Sequence, residues 1–146
     1  MIAYFDASSF AMLALQDAGW PRLLDWVERV APEAMVSDFG WGEFISAVSL
    51  RVRQRVATAE EAEVLIRNAG EETASWTHIR VNSDDIEAAI ALVRRFDLKL
   101  KLPDALHVAV ARRVGGLLVS TDHRQAAAAE SLNLPVFNPL SGDIAS

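Results

Sequence analysis

The sequence predicts an α/β fold with a central parallel sheet of four to five strands. Short apolar runs alternate with longer segments of helical periodicity along the whole chain. Short apolar strands separated by helices are typical of a parallel sheet that is covered on both faces. The 146 residues contain no internal repeat, low-complexity tract or linker. We therefore expect one domain spanning residues 1–146.

The strands are predicted from apolar runs bounded by turn-forming or acidic residues. They are expected at residues 2–5, 34–37, 77–81, 117–120 and 135–137. The first helix is predicted to follow a cap at Ser8 or Ser9 and to end near Gly19. The second begins at Pro21, a residue suited to the first helical position.

The remaining helices are predicted from caps and from apolar spacing. Asp38 is expected to cap the third helix, and Gly40 and Gly42 favour a late start because glycine is a poor helix former. A capping box at Thr58 and Glu61 begins the fourth. Further helices are expected from about residue 84, over residues 104–114 and over residues 124–132. The segment 104–114 is apolar almost all round, which predicts a buried helix.

Composition narrows the class of protein. The chain has no cysteine, which excludes disulfides and thiolate metal sites and suits a reducing compartment. No apolar run is long enough to cross a bilayer, and the N-terminus resembles a strand more than a signal peptide, so we expect a cytoplasmic protein. The net charge of −6 argues against a protein that coats nucleic acid but not against a nuclease with clustered carboxylates.

Four acidic residues stand near strand ends or helix starts: Asp6, Glu43, Asp104 and Asp122. In a parallel α/β sheet these points meet along one edge, where ligands bind. Carboxylates gathered there would repel one another unless cations neutralised them. The pattern therefore predicts a divalent-metal site.

Each of these acids also has a purely structural interpretation. Asp6 and Asp122 can cap the helices that follow them. Asp104 lies in a first helical turn, where the helix dipole favours an acid, and Glu43 is a common residue type in early turns. His107, one turn after Asp104, is either a hydrogen-bonded core residue or a side chain that faces the site.

The chain resembles the PIN-domain ribonucleases, above all the VapC and FitB-like toxins of prokaryotic toxin–antitoxin pairs. The resemblance covers essentially the whole sequence and implies a three-layer α/β/α sandwich. It rests on the segments YFDAS (4–8), VSDFGWGEF (36–44), PDALHVAVA (103–111), VSTD (119–122) and PVFNP (135–139). The middle segment keeps the glutamate but departs from the family by carrying two glycines.

By this resemblance the four acids form a quartet that holds Mg²⁺ or Mn²⁺. Asp6 and Asp104 are the expected primary ligands, while Asp122 and Glu43 complete a second site or orient water. The implied reaction is attack of a metal-activated water on an RNA phosphodiester, which leaves 5′-phosphate ends. Thr121 is a candidate to support a carboxylate or a bound water, and Arg124 is a candidate phosphate contact.

The toxin interpretation implies three partners: an RNA substrate, a VapB-like antitoxin and a second copy of the chain. The apolar face of the second helix is one candidate for the antitoxin, although the protein's own core could equally cover it; it comprises Trp20, Leu23, Trp26, Val27 and Val30. Two other functions remain open, an RNA-processing nuclease without an antitoxin and a non-catalytic α/β binding or receiver-like module.

Overall fold

A computed structural model describes residues 1–141 and confirms the α/β prediction. Its strands are β1 (Ile2–Phe5), β2 (Glu33–Ser37), β3 (Thr77–Ile79), β4 (Leu117–Val119) and β5 (Val136–Phe137). They form one parallel sheet in the order β3-β2-β1-β4-β5. The strand that the sequence begins with is therefore central. All five predicted strands are present, with ends that differ by at most two residues.

Helices cover both faces of the sheet in three layers. The α-helices are α1 (Ala7–Leu15), α2 (Trp20–Val30), α3 (Asp38–Arg53), α4 (Ala59–Glu72), α5 (Ser83–Val93), α6 (Leu102–Val114) and α7 (His123–Ser131). A single 3-10 turn, Phe96–Leu98, joins α5 to α6. None of the helices within residues 1–141 has both the length and the apolar character needed to cross a membrane.

The two sides of the sheet have separate cores, because successive strand residues point to opposite faces. Tyr4 packs with α5, α6 and α7, whereas its neighbours Ala3 and Phe5 pack with α1 to α4. The helix α6 contributes an unbroken buried stretch from Ala105 to Ala111, as its all-round apolar sequence predicts. This rigid central helix carries Asp104 in its first turn.

Two predicted caps are wrong. Ser8 and Ser9 do not cap α1; Asp6 does, as its structural interpretation predicted, with its side chain accepting the Ser9 N–H. Ser37, and not Asp38, caps α3 by accepting the N–H of Gly40. Asp6 directly follows β1 and Ser37 is the last residue of β2, and both have the extended backbone that a cap needs. Each helix therefore begins earlier than the sequence suggests.

The two glycines do not delay α3, which runs without a break from Asp38. Gly40 is buried, and a Cβ there would lie 3.2 Å from Ser37 Oγ and 3.5 Å from His107 Cε1. A Cβ at Gly42 would meet nothing within 4 Å. Gly40 therefore leaves room for the Ser37 hydroxyl and the His107 ring, and this packing outweighs its low helix propensity.

Candidate active site

The four predicted acids lie along the carboxyl edge of the sheet. Asp6 directly follows the central strand β1, and Asp122 follows its neighbour β4 after a short turn. Glu43 lies in the second turn of α3, which begins where β2 ends, and Asp104 lies in the first turn of α6. Strand order reverses around β1, so the edge is the switch point where α/β proteins bind ligands.

Asp6 is buried, with 2% of its surface exposed, and both of its carboxylate oxygens accept hydrogen bonds. Oδ1 accepts from the Ser8 hydroxyl at 2.7 Å and from the Ser9 N–H at 2.9 Å. Oδ2 accepts from the Ser120 hydroxyl at 2.6 Å and from the Gln125 amide at 2.8 Å. Four donors are enough to satisfy an ionised carboxylate in a buried position.

Asp122 is tied to the same network. Its side chain caps α7 by accepting the N–H of Gln125 at 3.0 Å, and its own N–H donates to the Ser120 hydroxyl at 3.1 Å. Gln125 therefore binds Asp122 through its backbone and Asp6 through its side chain. The structural roles predicted for Asp6 and Asp122 as caps are confirmed, and both caps stand beside each other at the sheet edge.

Glu43 is held by a chain of buried polar groups. Its Oε1 lies 2.5 Å from Nε2 of His107, and Nδ1 of the same ring lies 2.7 Å from the Tyr4 hydroxyl. The Tyr4 hydroxyl donates in turn to Ser37 Oγ at 2.9 Å. Burial raises the pKa of Tyr4, and the nearby carboxylates raise it further, so this hydroxyl stays neutral. His107 is thus both a hydrogen-bonded core residue and a neighbour of the acidic edge.

Electrostatic coupling joins the four acids. The pKa of Asp104 is raised, first by burial and next by the charge of Asp122. His107 opposes this increase, whereas Glu43 and Asp6 add to it. Asp104 is therefore close enough to three carboxyls on other elements for their negative charges to disfavour its ionised form. A bound cation would relieve that repulsion.

A sequence model of the PIN domain matches residues 3–131, which is most of the chain. The chain belongs to the PIN-domain family. A search of curated protein sequences finds no match. The family assignment therefore rests on the sequence model and agrees with the resemblance seen in the motifs.

Solved structures with the same fold include toxins and toxin–antitoxin complexes. FitAcB of Neisseria gonorrhoeae is 13% identical with a TM-score of 0.69, covering 95% of this chain and 98% of that chain. VapBC-1 of nontypeable Haemophilus influenzae is 12% identical with a TM-score of 0.70, covering 97% and 100%. VapC20 of Mycobacterium tuberculosis, a sarcin–ricin loop cleaving toxin, is 24% identical with a TM-score of 0.67, covering 86% and 94%. At these identities the likeness concerns the fold.

The acids of this PIN domain fit a hard divalent cation by their chemistry. Within residues 1–141, no three acidic or histidine side chains converge closely enough to ligate one ion together. Mg²⁺ needs no such cage, because it commonly takes one or two carboxylates and keeps several waters. Asp104 and Asp6 can supply that number of carboxylates, and Asp122 and Glu43, whose charges also raise the pKa of Asp104, can bind the waters.

The other predicted positions are only partly joined to this edge. Thr121 donates its backbone N–H to Ser8 Oγ at 3.1 Å, which places it beside Asp6. Arg124 is exposed in the first turn of α7 and, with Lys99 and Asp97, lines a pocket of about 290 Å³.

The predicted partner face on α2 is partly unavailable, because Leu23 and Trp26 are buried and Trp26 stacks on Phe137.

An open groove of about 750 Å³ runs past Glu43 in this PIN domain. Its walls come from the start of α3, from α5 and the segment before it, and from α6; they include Phe39, Val81, Ile86, Leu102 and Leu106. Ile86 and Leu102 are exposed although both are large and apolar. Apolar surface that is rimmed by charged groups, here Asp38 and Glu43, is typical of a contact site for another molecule.

Sequence reasoning missed Gln125, Ser120 and Tyr4 as parts of the site. Gln125 and Ser120 contact Asp6 across 119 and 114 residues, and Tyr4 contacts His107 across 103. The available sign was a polar residue within or next to an apolar run. Tyr4 lies within β1, and Gln125 directly precedes a run of four alanines. A buried polar group needs a partner, so such a residue indicates a network even when its partner is unknown.

Proposed function

We propose that this PIN domain is a Mg²⁺- or Mn²⁺-dependent endoribonuclease and the toxin of a VapBC-like toxin–antitoxin pair. The observation that carries the proposal is the position of Asp6, Glu43, Asp104 and Asp122 at one carboxyl edge of the sheet, where the charges of the other three raise the pKa of Asp104. A purely structural set of caps would have no reason to gather four carboxyls at one edge, where the neighbouring charges make ionisation of Asp104 more costly.

Each acid has its own role in the proposal. Asp104 and Asp6 hold the cation, and Asp122 and Glu43 complete the charge of the site and orient water. When bound, the cation lowers the pKa of a water molecule and offsets negative charge on the phosphate under attack. Asp104 is suited to its role because it lies in the first turn of the buried helix α6, and a bound cation would offset the burial and the acidic neighbours that raise its pKa.

The protein groups around the acids keep these positions fixed. His107 holds one oxygen of Glu43, and Gln125 holds Asp6 and Asp122 relative to each other. Water attack on the phosphorus requires no 2′-hydroxyl, so the products carry 5′-phosphate and 3′-hydroxyl ends. A reaction through the 2′-hydroxyl would instead leave a cyclic phosphate.

The antitoxin part of the proposal is supported by the groove beside Glu43. Its apolar walls suit an amphipathic segment, and Asp38 and Glu43 suit a basic residue on that segment. A structure from Klebsiella pneumoniae with the same fold, 20% identical with a TM-score of 0.66, is a toxin–antitoxin complex. A second copy of the chain is part of the same proposal, and size-exclusion chromatography with light scattering tests it directly.

Cleavage of a mixed tRNA and rRNA pool tests the nuclease. Purified protein is assayed with Mg²⁺, Mn²⁺ or EDTA, beside an Asp104→Asn variant and an Asp25→Asn variant. Asp25 is a matched control because it loses the same charge from an exposed position on α2, where 75% of its side chain is accessible. We expect metal-dependent cuts with 5′-phosphate ends from the wild type and from Asp25→Asn, and none from Asp104→Asn.

The alternatives give different results in the same assay. Cuts that persist in EDTA, or that end in cyclic phosphate, would overturn the metal-dependent mechanism. If the protein neither binds Mn²⁺ nor cuts RNA, the acids are structural and the protein is a binding module. A nuclease with no neighbouring gene for a small DNA-binding protein would be an RNA-processing enzyme without an antitoxin.

If a small DNA-binding protein is encoded next to this chain, co-expression tests the groove. Ile86→Glu places a charge in the apolar wall and is expected to abolish co-purification while leaving RNA cleavage intact. Val64→Glu, an exposed apolar residue on α4, is the matched control and should still bind. Binding that survives Ile86→Glu would place the antitoxin on another surface.

A further inference from the structure

The two oxygens of Asp6 stand in different surroundings. Oδ2 is bound by Ser120 and Gln125, which are both buried, with Gln125 only 1% exposed. Oδ1 is bound by the Ser9 N–H, which belongs to the helix cap, and by Ser8, whose side chain is only partly buried. The environment of one oxygen is thus fixed by the core, and that of the other is partly open.

All four lone-pair positions of Asp6 are occupied by donors from the protein. A cation can bind this carboxylate only if one donor gives way. The Ser9 N–H is fixed by the helix backbone, and the buried Gln125 amide would keep only its longer contact with Ser120 Oγ at 3.4 Å, which is costly. The Ser8 hydroxyl can rotate, and a displaced hydroxyl at the edge of the site can bind water instead.

We propose that Gln125 and Ser120 are positioning residues that fix Asp6 through Oδ2, and that Ser8 is a removable placeholder on Oδ1, the oxygen that faces the cation. The inference rests on the proposed function, because it assigns an orientation to one ligand of that metal site. Ser8 also accepts the Thr121 N–H at 3.1 Å, so it keeps a hydrogen bond when it leaves Asp6.

The same geometry assigns a second task to Gln125. Its backbone N–H binds Asp122 Oδ1 at 3.0 Å while its side chain binds Asp6 Oδ2 at 2.8 Å. Removing the side chain leaves the cap on Asp122 intact; it frees Asp6 Oδ2 and also removes a longer contact with Ser120 Oγ at 3.4 Å. A substitution at Gln125 therefore separates the orientation of Asp6 from the start of α7.

The test measures Mn²⁺ affinity by calorimetry or by electron paramagnetic resonance on the full chain without RNA. Ser8→Ala removes a competitor for Oδ1, so we expect Mn²⁺ to bind about threefold to tenfold more tightly, the equivalent of one ordinary hydrogen bond. Gln125→Met keeps the length of the side chain but loses its donor. We expect it to bind Mn²⁺ about tenfold to a hundredfold more weakly, as is usual when a partner of a metal ligand is lost.

Ser131→Ala is the matched control for Ser8→Ala. Ser131 is likewise a helical serine whose hydroxyl makes a local hydrogen bond, to the Ala128 carbonyl at 2.7 Å, but it lies at the far end of α7. Its removal should leave Mn²⁺ affinity unchanged. Thermal unfolding without metal shows whether each variant is folded, and Ser8→Ala carries the test alone if Gln125→Met does not fold.

The outcomes separate this inference from the proposed function. Opposite effects of Ser8→Ala and Gln125→Met on affinity support the assignment of the two oxygens. Wild-type binding of Mn²⁺ that Ser8→Ala weakens, or that Gln125→Met leaves unchanged, would overturn the assignment and leave the nuclease proposal standing. A wild type that binds no Mn²⁺ would overturn both.

Discussion

Nε2 of His107 lies 2.5 Å from Oε1 of Glu43, and this contact joins two of the helices that carry the acidic edge. His107 is one turn after Asp104 on α6, whereas Glu43 is on α3. The contact between His107 and Glu43 therefore fixes the distance between Asp104 and Glu43. Tyr4 holds the other nitrogen of the ring. The imidazole is therefore oriented from the core, and Glu43 is oriented by the imidazole.

Two substitutions at His107 test this role. The amide nitrogen of glutamine reaches about as far from the backbone as Nε2, and that of asparagine only as far as Nδ1. We expect His107→Asn to lower the RNA cleavage rate by about tenfold to a hundredfold. His107→Gln should retain more activity, because it still places a donor near Glu43.

Single-turnover cleavage rates and thermal unfolding are measured for both variants. If His107 positions Glu43, His107→Gln should cleave RNA faster than His107→Asn although the two variants have similar melting temperatures. Equal loss of rate in the two variants, in proportion to lost stability, would show that His107 acts only through the packing of the core.

The two glycines of α3 give a second matched pair. Gly42→Ala adds a methyl group that meets nothing within 4 Å, so we expect it to stabilise the fold by about 0.5–1 kcal/mol through helix propensity. Gly40→Ala places its methyl group 3.2 Å from Ser37 Oγ and 3.5 Å from His107 Cε1. We expect no stabilisation there and a lower cleavage rate. Urea unfolding and the cleavage assay distinguish the two; a stabilised and fully active Gly40→Ala would contradict the tight packing of Gly40 against Ser37 and His107.

The strands β1, β2, β4 and β5 were predictable because each is a short, mostly apolar run that the sheet buries, whereas β3 is an edge strand whose first two residues are exposed. Helix starts were less predictable. A cap is decided by which residue keeps an extended backbone, and at Asp6 and Ser37 this depends on where the strand ends. Nothing in the sequence indicates that Gly40 lies in a tightly packed position, since one of the side chains it leaves room for, His107, belongs to a helix distant in sequence.

The acids of the candidate site were predictable from their positions, whereas the groups around them were not. Asp6 and Asp122 stand next to strands, so the topology of a parallel sheet is enough to bring them to one edge. Gln125 reaches Asp6 only after α7 has docked on the sheet, and the pair is separated by 119 residues. Such a contact has no local periodicity in the sequence that could indicate it.

Arg124 provides a test of the substrate path. It is exposed on the first turn of α7, two residues after Asp122, and shares a pocket with Lys99. If it contacts a phosphate of RNA, Arg124→Gln should weaken RNA binding and reduce the slope of log affinity against log salt concentration by about one. Arg67→Gln, an exposed position on α4, is the control and should change neither quantity. An unchanged salt slope in Arg124→Gln would remove this residue from the substrate path.

The buried carboxylate of Asp85 makes stability depend on pH. Burial raises its pKa, but hydrogen bonds from Arg113 at 2.7 Å and from the Asn82 backbone, with the charge of Arg113, outweigh that effect and lower the pKa overall. A lowered pKa stabilises the fold above the pKa of the unfolded chain, about 3.9. This contribution is lost as the pH falls through the lower, folded-state pKa.

We therefore expect Asp85→Asn to cost about 1.5–3 kcal/mol at pH 7, the usual contribution of hydrogen bonds to a charged group. The difference from the wild type should shrink as the pH falls below about 4. Asp84→Asn is the control, because Asp84 stands in the same first turn of α5 but is exposed. Urea unfolding at pH 7 and at about pH 3 measures both variants. Equal losses in the two variants, or a loss at Asp85 that does not change with pH, would mean that the helix start and not the Arg113 contact stabilises this end of α5.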